Sequence, residues 1–281
     1  MTLDGVNETP VWTAGNAGTA APEPAALPSR ADVAIVGAGY TGLSAALALA
    51  KRGRSVAVLE SGTVGFGASS RNGGMALTGL KLAPDVLLRR YGAATAREMF
   101  SASLEAIDLV ESLIASERIE CAFERCGHLE LASKAAHFVA FGRTAAALSE
   151  HFGHAVRLLG RAELAGEIGS TAFYGGIVDP RSAALDPLRY VMGLAHAARR
   201  SGATICERTP VEAVEPVDGQ WRLRSSRGEL TARNVLLATG AYTGRAFPAL
   251  RRRLVPIGSY AIASEPLPSS LADAVLPRKR A

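Results

Sequence analysis

One stretch limits what this chain can fold into more than any other: residues 33–50, VAIVGAGYTGLSAALALA. It has about the length of a membrane-spanning helix. However, Gly37, Gly39 and Gly42 fall near its middle and divide it into a strand, a turn and a helix. From Ala31, ADVAIVG is a short continuous apolar run stopping on glycine, as in a parallel strand buried on both faces. Leu43, Ala46, Leu47 and Ala50 then recur at helical spacing, and Gly53 is placed to end that helix. SVAVLE, residues 55–60, is a second apolar strand. Together they make a βαβ unit of about 30 residues whose crossover is expected to be right-handed. The chain is read as having no membrane span.

The spacing Gly37-Ala38-Gly39-Tyr40-Thr41-Gly42 carries chemistry of its own. Gly37 is needed for a tight turn, Gly39 for backbone approach to a pyrophosphate, and Gly42 for close packing of helix on strand. The helix N-terminus adds backbone N–H groups and a partial positive charge, both suited to phosphate. Glu60 ends the second strand, 18 residues beyond Gly42, where a carboxylate accepts hydrogen bonds from ribose hydroxyls. That carboxylate repels a 2′-phosphate, which disfavours NADP and leaves NAD or FAD.

The rest of the chain is organised around this unit. Residues 1–30 are expected to form an N-terminal arm, rich in Ala, Gly and Pro from residue 13 onward. After a Gly- and Ser-rich stretch over 61–80, the spacing predicts a long helix over 94–116 with Phe100, Leu104, Ile107 and Ile114 on one face. A strand over 128–132 and a helix over 135–152 follow. From Asp186 the first pattern returns, with a helix over 187–201 and a strand over 204–208. In the next segments, VEAVEPV, WRLRSS and GELTA alternate apolar and polar residues across the turn signals Asp218-Gly219 and Arg227-Gly228. NVLLATG, residues 234–240, is a last apolar strand. The predicted fold class is α/β: a Rossmann-like domain of parallel sheet plus β-meander, over 30–80 and 186–255, interrupted by an α+β domain over 81–185 and 256–281.

Composition narrows the classes of partner. An apolar fraction of 48% with a net charge of only +5 excludes disorder as the main state. The basic clusters Arg251-Arg252-Arg253 and Arg278-Lys279-Arg280 are short and lack interleaved aromatics, so no nucleic-acid partner is expected. Three cysteines give no disulfide framework, and the start MTLDGVNETP has no secretory pattern, so a cytoplasmic location is expected. Cys121 and Cys126, with His128 nearby, match neither zinc spacing nor a redox CxxC, and no metal site is expected. His151 and His154, near a helix end, are read as solvent-facing. Tyr260 faces either a substrate or the core of a strand.

At residues 33–74 the chain resembles a known family. VAIVGAGYTGLSAALALAKRGRSVAVLESGTVGFGASSRNGG is similar to the flavin-dependent amine and amino-acid oxidases typified by D-amino-acid, glycine and sarcosine oxidases. Within that family it resembles the branch containing gamma-glutamylputrescine oxidases. TPVW at residues 9–12, ERTPVEAVE, LLATGAY and PIGSYAIASEPL have counterparts there in the same order. The resemblance implies FAD as cofactor. Gly37, Ala38, Gly39, Tyr40, Thr41 and Gly42 then cradle its pyrophosphate, and Glu60 and Ser61 hold the adenosine ribose. Ala68, Ser69 and Arg71 are implied near phosphate and ribityl groups, and Asn72, Gly73, Gly74 and Met75 beside the isoalloxazine. The backbone of Val211 is implied to pair with the adenine edge, with Thr239 and Gly240 close to the cofactor. Residue chemistry agrees with this: paired glycines let N–H groups approach a flat ring, and Arg71 suits a phosphate or an anionic reduced flavin. An NAD-binding dehydrogenase fits less well, because GASSRNGG is not part of the usual NAD fingerprint.

The reaction so implied is oxidation of the C–N bond of a small-molecule amine or amino acid, with hydride passing to flavin N5. The flavin carries that chemistry, and no catalytic acid or base is assigned. Three departures stand out. Ser70 replaces a usual glycine, Asp186-Pro187 stands where the branch tends to have His-Pro, and family members continue well beyond residue 281. The interrupting substrate domain is therefore expected to be incomplete. The alternative to an active oxidase is a truncated, catalytically inactive FAD-binding relative, or a subunit that needs a second chain to complete its site.

Overall fold

The computed structural model describes residues 10–14 and 25–281, so most of the expected N-terminal arm lies outside the described residues. In chain order the elements begin with α1 (Val11–Ala14), β1 (Arg30–Val36), α2 (Tyr40–Ala50), β2 (Val56–Leu59), β3 (Met75–Ala76) and α3 (Pro84–Glu117). They continue with β4 (His128–Leu131), α4 (Ala135–Phe152), β5 (Arg157–Gly160), β6 (Gly175–Asp179), β7 (Ala183–Ala184) and α5 (Pro187–Arg200). Last come β8 (Thr204–Cys206), β9 (Val211–Val217), β10 (Gln220–Ser225), β11 (Gly228–Leu237), α6 (Pro248–Arg251) and α7 (Ser269–Val275). They group into two compact units, one from Met1–Gly73, Glu117–Cys121 and Asp186–Ile262, the other from Gly74–Ser116, Ala122–Leu185 and Ala263–Ala281. The first break falls after Gly73, where the sequence reading puts it at 80.

The first unit is built on a six-stranded sheet of order β8-β2-β1-β11-β10-β9. β8, β2, β1 and β11 run parallel, and β10 is antiparallel to both its neighbours. All four residues of β2 and the last three of β1 are buried, as strands covered on both faces require. Ala34, Val36, Ala57, Leu59, Leu223, Leu230 and Ala232 form one core cluster across the sheet. β9 and β10 are joined by Asp218 (φ 49°) and Gly219 (φ 74°), the two left-handed residues that a tight hairpin turn needs. β11 is one strand of ten residues where the sequence suggests two. Its first half pairs with β10 and its second half with β1, and only Thr231 and Ala232 pair with both, so the apolar period changes along its length.

In the second unit, β4, β6 and β5 form a three-stranded antiparallel sheet, and β3 pairs with β7. α3 extends ten residues earlier than the predicted helix, across a break at Gly92 (φ 77°, ψ 164°). α4 ends on Gly153 in the left-handed region (φ 62°). The next residue corrects an expectation: His154 is buried, not solvent-facing. Its Nε2 lies 2.7 Å from Asp179 Oδ2, and Phe100 packs against its ring. Thr78 also donates to Asp179. In the same unit, Arg280 and Arg157 pair with the buried Glu167.

Residues 254–264 form no strand. Val255, Ile257, Tyr260 and Ile262 are 83–99% exposed, so Tyr260 is not a core aromatic on a strand. None of the three cysteines is in a disulfide. Among the described residues no helix is long and apolar enough to cross a membrane.

Candidate functional site

Open α/β sheets receive ligands outside the carboxyl ends of their parallel strands. In the first unit a cleft of about 620 Å³ opens at that edge, lined by Val36, Leu59 and Leu237 from the ends of β1, β2 and β11. Gly37, Gly39, Tyr40 and Thr41 bring the N-terminus of α2 to it, and Glu60, Ser61, residues 65–69, Pro210, Val211 and residues 238–242 complete much of the wall.

The turn into α2 has no room for side chains. Gly37 sits at φ 107°, and a Cβ there would lie 2.6 Å from Ala238 O. At Gly42 a Cβ would lie 2.0 Å from Gly37 O. No side chain caps α2 from its N-cap residue Gly39, although the Tyr40 amide donates to Ser69 Oγ at 3.1 Å. The positive end of an 11-residue helix, with one amide met by Ser69 and no cap from its own N-cap residue, thus faces the cleft.

Glu60 is held by its own chain. Its Oε2 accepts from the Ala38 amide at 2.7 Å, and its Oε1 from the Gly62 amide at 2.9 Å and Ser61 Oγ at 3.1 Å. Gly65 (φ 70°) turns the following loop, donating to Ala38 O at 3.1 Å and accepting from Ser70 Oγ at 2.7 Å. A side chain on Gly67 would meet the Tyr242 ring at 2.9 Å.

Of the residues singled out from the sequence, Gly37, Gly39, Tyr40, Thr41, Glu60, Ser61, Ala68, Ser69, Val211, Thr239 and Gly240 line this cleft together. Ala38 and Gly42 are buried and do not line it. Nor does Arg71: its Nε donates to Phe66 O at 2.9 Å, and its guanidinium stacks 4.9 Å from the Phe66 ring centroid. Asn72 Nδ2 donates to Ala68 O and Ser69 O, and its carbonyl accepts from the Trp12 indole at 2.9 Å. Gly73 ends the first unit. Gly74 and Met75 belong to the second, where Gly74 O accepts from the Leu185 amide and Met75 pairs with Ala184.

Sequence reasoning missed Phe66 and Tyr242, aromatic rings more than half exposed at the cleft wall. Both sit beside glycines in motifs already noticed, Gly65-Phe66-Gly67 and Gly240-Ala241-Tyr242. Behind the turn, burial pushes the Tyr40 phenol above its usual pKa and that of Tyr190, 5.3 Å away, up to about 12. Both are therefore neutral, and Tyr40 spends its O–H on Pro187 O. Among the described residues no cluster of three or more His, Cys, Asp or Glu side chains is arranged to hold a metal ion.

These features suit an elongated dinucleotide: an uncapped helix end for a pyrophosphate, an acid at the end of the neighbouring strand, and a glycine turn that a Cβ would fill. The model of the family described as FAD dependent oxidoreductase matches residues 32–280. The chain belongs to this family. Proteins similar to it include the probable oxidoreductase OrdL of Haemophilus influenzae, 34% identical over 252 residues, and the gamma-glutamylputrescine oxidoreductase of Escherichia coli, 32% identical over 248 residues. In each case the match covers 88% of this chain and 58% of the relative, so the chain spans well under two thirds of the length of these curated relatives. Among solved structures, the glycine oxidase of Geobacillus kaustophilus superposes with a TM-score of 0.65 at 26% identity, over 79% of this chain and 59% of that one. The L-amino acid deaminase of Proteus myxofaciens has the same TM-score at 23% identity, a likeness of fold. Family membership thus assigns FAD as the cofactor and the α/β fold as a shared one.

Proposed function

We propose that this chain binds FAD in the cleft of its first unit and contributes to oxidation of the C–N bond of a small amine or amino acid. The observation that carries the proposal is the uncapped N-terminus of α2 opening on the cleft beside Glu60. In this reading the Gly37–Gly42 turn receives the pyrophosphate, and Glu60 with Ser61 receives the adenosine ribose. Val211 borders the adenine, with Thr239 and Gly240 alongside. Ala68 and Ser69 follow the phosphates, and Arg71 leaves the Phe66 ring to join them. Asn72, Gly73, Gly74 and Met75 carry the chain on toward the isoalloxazine. The bound flavin supplies the hydride acceptor at N5. The chain's own part is to orient the cofactor and exclude a 2′-phosphate through the Glu60 carboxylate. The names of the similar proteins, an oxidoreductase of gamma-glutamylputrescine and an oxidase of glycine, support an amine or amino-acid substrate.

A second reading, in which further polypeptide is needed for turnover, is favoured by the exposure of Val255, Ile257, Tyr260 and Ile262. Both readings are tested by adding FAD to the purified chain and recording flavin fluorescence, then the visible spectrum after adding amines and amino acids without oxygen. Flavin uptake with amine-dependent bleaching is expected for the first. Uptake without bleaching selects the second, and no uptake overturns both.

A further inference from the structure

Two neighbouring parallel strands each end in an acid. β2 is followed by Glu60 and β8 by Glu207, and Leu59 lies opposite Cys206 in the register. Glu60 lines the cleft, whereas Glu207 does not and is buried. Its Oε1 accepts from the Val64 amide at 2.6 Å, and its Oε2 lies 3.5 Å from Arg199 Nη2 on α5. Its backbone carbonyl accepts from Thr209 Oγ1 at 3.0 Å and Arg227 Nη1 at 3.1 Å. A carboxylate so placed is costly to bury unless it holds something. What it holds is the start of the cleft wall. Val64 is followed by Gly65, whose left-handed backbone has no space for a side chain because a Cβ would lie 2.5 Å from Val191 Cγ1. Phe66, Gly67, Ala68 and Ser69 then line the cleft, and Ser69 meets the Tyr40 amide at the helix end.

We infer that Glu207 is a positioning residue for the cofactor cleft: by holding the Val64 amide, its carboxylate sets residues 65–69 in the shape that receives the dinucleotide. The inference rests on the FAD-binding reading above. It also makes a claim about the wall that holds without ligand.

The test compares Glu207→Gln, which keeps an acceptor oxygen for Val64, with Glu207→Met, of similar length and without one. Amide hydrogen exchange of residues 64–69 is measured in the full chain without FAD, and the FAD dissociation constant by quenching of flavin fluorescence. The Met variant is expected to exchange faster at 64–69 and to bind FAD roughly tenfold more weakly, the effect of stripping one buried amide of its acceptor. The Gln variant should stay near wild type in both. Unchanged exchange in the Met variant overturns the inference. So does acceleration spread over the whole first unit, or an equal loss in both variants. If the wild type itself takes up no FAD, the functional proposal fails, and the exchange comparison still decides whether Glu207 sets the wall.

Discussion

A single methyl group separates a working turn from a broken one at Gly42, where a Cβ would lie 2.0 Å from Gly37 O. Gly42→Ala is expected to cost about 1–3 kcal/mol, the usual range for forced overpacking, and to abolish FAD retention. Gly53 is the control: it sits at φ 73° with nothing within 4 Å of a Cβ, so Gly53→Ala costs only about 1–2 kcal/mol of backbone strain and leaves the cleft intact. Urea unfolding with and without FAD checks both. A second residue-scale prediction concerns Asp179. Burial raises its carboxyl pKa, but hydrogen bonds from His154, Thr78 and the Arg181 amide outweigh that and hold it below the usual value. A folded value below the unfolded one stabilises above the ordinary aspartate pKa of about 3.9, and this contribution is lost as pH falls through the folded value. Asp179→Asn should therefore show a shallower loss of urea midpoint between pH 5 and pH 2 than wild type, and an equal slope would count against it. The close approach of Gly42 to Gly37 was legible because the two lie within six residues of sequence. His154 was not, because its partner sits on β6 and only the end of α4 marks its place in the sequence.

Among the elements, α5 shows how far local rules reach. Asp186 Oδ1 accepts from the Arg189 amide at 3.0 Å, Pro187 follows it in the first turn, and Arg199 and Arg200 occupy the last. Asp186→Ala is expected to cost about 1 kcal/mol, read as a shift in urea midpoint with little change in slope. The beginning and end of this helix were legible from sequence. β11 was less so: its ten residues change neighbours part-way, and a strand that passes from an alternating to a continuous apolar pattern reads as two. The break at Gly92 hid the first turns of α3 for a related reason, since the helical period restarts there. The cleft loop over residues 61–70 offers no period at all. Glu207 was missed because its partner is a backbone amide, which leaves no trace in side-chain spacing.

For the whole molecule, the unpaired apolar run at 254–264 is the feature least like a folded interior. Ile257→Lys with Ile262→Lys removes no buried contact. Thermal stability should stay within about 0.5 kcal/mol of wild type, while self-association measured by light scattering falls. A large loss of stability would show that these side chains pack in solution. The nucleotide-binding pattern stops and resumes along the sequence, but nothing there marks the return of residues 117–121 to the first unit.

The central pair of the large sheet has a consequence for synthesis. β1 lies beside β11, with Arg30 opposite Thr231 and Val36 opposite Leu237. At ordinary rates of translation β1 waits roughly 10–40 seconds for that neighbour to emerge from the ribosome. During this time only β2 is available on one side, and the other edge of a strongly apolar strand stands open. Such long-range parallel pairing is slow to form even in a finished chain. β1 is made long before the neighbour that completes its pairing, so the nascent chain carries an open apolar edge while it is synthesised.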